Sequence, residues 1–333
     1  SGDPAARDFN DSGTRHIHSH QFPGANTGVA HMVGLPESVI DAHRDRLTGV
    51  TRVDIFGVKE DGHINGELHA PLRPNLPALR PGKRYLLEIV VRTTGVGHHL
   101  TQGTSDSNEL WLDVTATAGD RIIGRSGARN DTGRVDPWSY FLNSYMLDRE
   151  GNRIDRRNGQ DIFVPLYNHQ IPPGAATVVH YLLEVPDDTR DPVVIEVDLN
   201  YRKFDTAYLQ HMQGVDFTVN DLPITTMASD RIELPVGRGK DDMSFDLHPV
   251  AENERWNDYG IGLLRQGDSG SNKGELRQAE QAFRQVEALG DMDGAMNLAR
   301  VYFKEGRVGE ASQALRRATA GDPPAPHWTI AWY

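Results

Sequence analysis

The sequence predicts an antiparallel β-sandwich of immunoglobulin-like type, followed by an all-α segment of tetratricopeptide-like helical repeats. Three observations lead there. Short runs with a two-residue apolar alternation recur between residues 53 and 201, with no helical patterns interleaved. Pro-Gly turn signals stand directly before two of those runs. From about residue 253 the period becomes helical, and small residues recur at a repeat spacing. The expected organisation is a His-rich extended arm over 1–50, a sandwich over 51–245 and helical repeats over 250–333 that are incomplete at the C-terminal end.

In the arm, apolar residues show no sustained period, although residues 37–47 can form one short helix. Val53-Asp54-Ile55-Phe56-Gly57-Val58 reads as the first strand, and residues 85–91, 110–117 and 121–123 read as the next three. Residues 177–185 and 193–201 follow, the latter alternating as Val-Ile-Glu-Val-Asp-Leu-Asn-Tyr. Leu79-Arg80-Pro81-Gly82-Lys83 and Ile171-Pro172-Pro173-Gly174-Ala175 are the turns, in which Pro presets φ and Gly allows the reversal. Strands at such intervals favour a sandwich over a parallel sheet. Residues 129–159, rich in Asp, Asn, Arg and Gly, read as a long functional or mobile loop. Residues 205–249 read as irregular.

The helical segment fits one repeat unit over residues 295–323. Leu298-Ala299 and Tyr302 lie on its first helix, Gly306 at the turn, and Ala311, Leu315 and Ala318 on its second, with Pro323 as terminator. In this spacing small residues on one helix admit large ones from its partner. A weaker copy carries Trp256, Tyr259-Gly260, Leu263, Ala279 and Phe283, and residues 328–333 begin a third. A repeat array needs about three units and a cap. With no initiator Met at residue 1, we expect a piece of a longer or processed chain.

Composition narrows the function classes. The chain has 333 residues, of which 38% are hydrophobic and 25% charged, as in an ordinary globular protein. No apolar run approaches the ~20 residues of a membrane-spanning helix. A net charge of −12 argues against a nucleic-acid partner, which asks for a basic footprint. With no cysteine, the chain has no disulfide, Cys-zinc site, thiol nucleophile or covalent haem attachment of its own. No Gly-rich phosphate loop, nucleophile elbow or defensible acid–base dyad appears.

Three constellations are candidates for binding. The first is His16-Ile17-His18-Ser19-His20 in the arm, with His31 further along. In an extended segment residues two apart share a side, so His16, His18 and His20 can bind one metal ion such as copper or zinc, or ligate separately. The plainer alternative is a solvated His-rich arm. The second is Gly95-Val96-Gly97-His98-His99-Leu100 at a strand end, where loops present function. His98 or His99 can ligate a metal there, or a His can simply pack in a tight turn. The third is Tyr201-Arg202-Lys203-Phe204, where Arg202 can hold a carboxylate such as a haem propionate, or merely close a strand.

An ordered set of segments resembles the C-terminal, haem-motif-free region of large multihaem c-type cytochromes that carry a β-sandwich and tetratricopeptide repeats. The segments are Ser19-His20-Gln21-Phe22-Pro23-Gly24-Ala25-Asn26-Thr27, Val53-Asp54-Ile55-Phe56, Gly97-His98-His99-Leu100-Thr101-Gln102-Gly103 and Ser107-Asn108-Glu109-Leu110-Trp111-Leu112-Asp113-Val114. Ile171-Pro172-Pro173-Gly174-Ala175, His180-Tyr181 and Leu199-Asn200-Tyr201-Arg202-Lys203-Phe204 continue the set in the same order. The resemblance implies a periplasmic or extracellular accessory module with an electron-transfer or scaffold role rather than catalysis. It implies haem c held by Cys-x-x-Cys-His motifs outside this chain, with His20, and His18 or His16, as distal ligands and His98 in the sandwich loop. It further implies a haem-bearing domain or chain as one partner and a protein docked on the helical repeats as another. Two other expectations stand beside it: a copper or zinc protein or metalloenzyme using the arm histidines, and a structural or adhesive sandwich of an extracellular assembly.

Overall fold

In a computed structural model, residues 6–8, 11–16, 23–101, 106–237, 247–268 and 273–321 are described. The strands are β1 (Thr51–Glu60), β2 (Leu68–His69), β3 (Arg84–Thr93), β4 (Glu109–Ala118), β5 (Arg121–Ser126), β6 (Ser144–Leu147), β7 (Val164–Asn168), β8 (Ala176–Glu184), β9 (Val193–Arg202) and β10 (Ile224–Leu234). Two four-stranded antiparallel sheets form, in the orders β2-β1-β3-β8 and β10-β9-β4-β5. Their inner faces enclose Val53, Ile55, Leu87 and Ile89 from the first sheet and Leu112, Ile195, Val197 and Leu199 from the second. β9 buries alternate residues from Val193 to Leu199, as its sequence pattern requires, and is buried on both faces from there to Arg202.

β1 is different: it is buried on both faces along most of its length. A register shift between Ile55 and Gly57 makes Phe56 an extra, bulged residue. The bulge returns Val58 to the inner core beside Ile55 and leaves Phe56 on the outer side. There Phe56, Val90, Ala176 and Val178 pack on helices. The helices are α4 (Glu252–Asp268), α5 (Lys273–Ala288), α6 (Asp293–Lys304) and α7 (Val308–Ala320), in two successive pairs. Tyr259 and Leu263 of α4 touch the sheet, and Phe283, Leu298, Tyr302 and Ala311 extend the same cluster outward. Gly260 lets the Phe283 ring lie close, because a Cβ there would stand 2.5 Å from it.

Ion pairs reinforce this junction. Arg255 donates two 2.8 Å bonds to Asp54. Arg52 and Arg92 flank Asp258. Lys59 Nζ stands 2.9 Å from the fully buried Glu88, which also receives His180 Nε2 at 2.9 Å and the Tyr259 hydroxyl at 3.3 Å. Arg265 and Gln266 donate to the carbonyls of Ala176 and Val178 on β8, the outer strand of its sheet. The helical layer therefore shares a core and a polar seam with the sandwich.

Several expectations change. The arm is not wholly extended: it contains α1 (Thr27–Met32) and α2 (Glu37–Leu47), the second where the short helix is expected. Residues 205–249 are not all irregular, since they hold α3 (Thr206–Gln213) and the edge strand β10. The supposed loop over 129–159 contains β6, which pairs with β7. Its neighbouring residues 140–142 bond to β4, with Leu142 N–H donating to Leu110 O at 2.9 Å and Leu112 N–H to Tyr140 O at 3.1 Å. This excursion covers Trp111, whose indole N–H donates to Gly127 O at 3.2 Å. The incipient third repeat at 328–333 lies outside the described residues.

Candidate functional site

The arm and the His98 loop, singled out separately in the sequence, meet at one end of the sandwich. Tyr201 at the end of β9 donates its hydroxyl to Ala25 O at 2.8 Å. Gly24 N and O both lie within 2.9 Å of His43 Nδ1 on α2. The loop is held at its base by Gly95 N–H donating to Val50 O, and at its far end by two 2.8 Å bonds between Leu100 and Ile171. Between arm and loop lies a cavity of ≈ 290 Å³, walled by Pro23, Val50, Val96, Leu100, Tyr201 and Met227, with His98 among its lining residues. Burial pushes the Tyr201 phenol well above its usual pKa, so it stays a neutral donor.

His98 is exposed, and its Nδ1 lies 2.9 Å from His99 O. A carbonyl only accepts, so Nδ1 carries the proton and the Nε2 lone pair is left for a ligand. An Nδ1–H bonded to a backbone carbonyl is the usual support of a metal-bound imidazole. His99 is exposed and contributes its carbonyl to this bond. His16 forms a backbone bridge with Arg7, and His31 sits exposed in the last turn of α1. His18 and His20 lie outside the described residues.

Arg202 does not serve as a surface carboxylate clamp. Its side chain is fully buried beneath Trp111 and bonded to the protein's own Glu109, to Gly133 O and to Thr206. Nor does it merely close a strand as an outward charge: position 202 faces the closed side of the sheet, under the 127–143 excursion.

Among the described residues, one group of three potential metal ligands converges: Asp54, Asp230 and His248, with ligand atoms within 4.8 Å of one another. Both Asp54 oxygens are engaged by Arg255, and both Asp230 oxygens by Arg73 at 2.8 and 2.6 Å. Asp230 also takes the Ile55 N–H at 2.7 Å. Burial lowers the His248 pKa. Two guanidiniums thus fill the positions a cation would take, and the group reads as an ion-pair network between the sheets and α4.

A second cavity, of ≈ 430 Å³, carries no motif that the sequence offers as a site. It lies where β4 and α3 meet the 129–159 excursion, and Asn108, Glu109, Asn143, Tyr145, Arg153 and Asp205 are among its walls. Asp205 caps α3 by accepting the Tyr208 N–H at 2.7 Å, and pairs with Arg153 at 3.2 Å. Burial raises the carboxyl pKa of Asp205 and pushes that of Glu109 up to about 7, against the opposing charge of Arg202. The sequence signal was the excursion's length and polarity. Its partners across the fold, 108–109 and 205, had no local mark.

No family model matches the chain, and no curated protein matches it. Among solved structures, a penta-heme cytochrome c552 from Thermochromatium tepidum shares 14% identity with a TM-score of 0.35, over 49% of this chain and 40% of that one. The alkylpurine DNA glycosylase AlkC from Pseudomonas fluorescens, bound to DNA containing an abasic site analog, shares 10% identity with a TM-score of 0.19, over 58% of this chain and 33% of that one. The chain spans less than half the length of either protein. At these TM-scores neither likeness defines the fold or activity of this chain.

Proposed function

We propose that this chain is a non-catalytic accessory module of a multihaem c-type cytochrome system, periplasmic or extracellular, that presents His98 to a haem carried outside the chain. The observation that carries the reading is the convergence of the arm and the His98 loop on an apolar cavity, with an imidazole whose Nδ1–H is fixed and whose Nε2 is open. The ordered sequence resemblance supports it independently. At ≈ 290 Å³ the cavity sits at the low end of small-molecule sites, so it suits covering one edge of a macrocycle rather than enclosing it. A bound haem would supply one-electron chemistry, and its potential responds to axial ligation and burial. The chain's own contribution is a ligand nitrogen, an apolar wall that excludes water, and the neutral Tyr201 phenol tying the arm down. In this reading the sandwich is immunoglobulin-like and the helix pairs are tetratricopeptide-like repeats that dock a protein partner.

The test is a titration of a ferric haem c peptide with one open axial position against the chain, followed by the Soret band. High-spin to low-spin conversion is expected with the parent chain, weakened about tenfold or more in His98→Ala, the equivalent of at least ~1.4 kcal/mol. Conversion of equal affinity in His98→Ala would remove His98 as the ligand and with it this reading.

A further inference from the structure

The larger cavity has a chemistry of its own. Its charges are already matched within the protein. Glu109 is paired with Arg202, Asp205 with Arg153, and Asp155 with Arg156 at 3.2 Å. Arg134 donates to Gln210 at 3.3 Å, and Arg153 also lies over the Tyr145 ring at 5.0 Å. A guest cation would have to displace guanidiniums, and a guest anion would have to displace carboxylates. Neither charge is on offer.

What remains unmatched is neutral. Asn108 and Asn143 both line the cavity, at 6% and 3% exposure, and the Oδ1 of each is buried without a hydrogen-bond partner. Buried amide oxygens are nearly always satisfied, so two on one cavity ask for a donor. Each Oδ1 is itself buried, and the broad terminal torsion of Asn is what lets the amide turn its oxygen toward a guest. Beside them stand aromatic rings: Phe141, Tyr145 and Tyr167 all line the cavity, the two tyrosines with ring centroids 5.3 Å apart. Tyr167 is held in turn by stacking on His169 at 4.4 Å.

We propose that this cavity binds a neutral carbohydrate, whose hydroxyls donate to the Asn108 and Asn143 oxygens and whose C–H face lies on the Tyr145 and Tyr167 rings. Hydroxyls both donate and accept, so the same ligand can accept from the outer Arg134 and Arg153 donors without breaking their pairs. The volume of ≈ 430 Å³ falls within the ~300–1,000 Å³ of small-molecule sites. This assignment does not depend on any haem, although Asn108 also lines the His98 cavity.

The experiment is saturation-transfer NMR on the whole chain with glucose, galactose, mannose, N-acetylglucosamine, maltose and cellobiose, followed by titration of any binder. At least one sugar is expected to bind saturably, with transfer through the tyrosine rings. Asn143→Ala, which removes an unbonded oxygen, should fold as the parent does and bind about tenfold more weakly. Tyr145→Leu, which keeps apolar volume but loses the ring face, should also weaken binding. Asn108→Ala serves in place of either variant that fails to fold. No saturable binding by any of the six sugars overturns the proposal, leaving water as the occupant. So does binding that the asparagine and tyrosine variants leave unchanged.

Discussion

Replacing Phe56 by Ala tests whether sandwich and helices are one cooperative body. Phe56 is fully buried at the bulge of β1, stacked on Tyr259 with centroids 4.4 Å apart and edge-on to Trp256 at 4.9 Å. Removing a buried phenyl ring costs about 3–5 kcal/mol. The two ring contacts add about 0.5–1.5 kcal/mol each beyond area burial. Because tightly packed helices and a sheet can close only part of the void, we expect a loss of about 5 kcal/mol. That is a large share of the 5–15 kcal/mol that holds a typical domain. Urea unfolding should be followed both by far-ultraviolet circular dichroism and by tryptophan fluorescence. The parent chain should show coincident transitions. Phe56→Ala should split them, with the helical signal lost at lower urea, whereas Phe56→Leu should keep them joined. A loss under about 1 kcal/mol with unchanged coincidence would refute the reasoning, because the helices would then not depend on this contact.

Glu109→Gln should change the pH dependence of stability. A carboxyl raised in the folded state from 4.5 to about 7 contributes stability that is full below its unfolded pKa and is lost as pH rises through the folded value. Relative to the parent, the Gln variant should therefore gain on the order of 3 kcal/mol between about pH 4 and 8, read from urea midpoints. The comparison must be variant minus parent, because Glu88 titrates in the opposite sense: burial raises its pKa, but His180 and Lys59 outweigh burial and lower it. A Gln variant that instead loses ground as pH rises would mean that Arg202 outweighs burial at Glu109. Gly260→Ala should lose about 1–2 kcal/mol, since overpacking against Phe283 exceeds the ~1 kcal/mol gain in helix propensity. Phe283→Leu should then cost less in the Gly260→Ala background than alone, and strict additivity of the two would count against the close contact. Lys59→Met should cost about 1.5–3 kcal/mol, because Glu88 loses one charged partner but keeps His180 and Tyr259, while Lys59→Met with Glu88→Leu should recover most of it in the same melts.

The sequence alone determined the elements whose own periodicity is intact. From Val193 to Leu199 β9 alternates buried and more exposed residues, and its apolar face was readable as a sandwich face. The helix pairs were readable because Gly260, Ala299, Ala311 and Ala318 recur where partner helices approach. β10 was not readable, for a local reason. A register shift between Thr226 and Ala228 changes its phase, so the inward residues run Thr225 and Met227, then Ile232 and Leu234. An odd-to-even switch within one strand hides a period of two. Phe56 was read as part of a strand but not as its outward-facing bulge, because whether that side meets water or a helix depends on α4, some 200 residues further along. Arg202 looked like a ligand clamp between aromatics. Only the fold shows it closed over by residues 127–143 and matched by Glu109 on the neighbouring strand. The two cavities divide the same way. Gly97-His98-His99 could be picked out because histidine chemistry is local to the residue. The asparagine cavity could not, because Asn108, Asn143 and Asp205 acquire meaning only when β4, the 129–159 excursion and the α3 cap are brought together, and burial without a partner is a property of that assembly rather than of any residue.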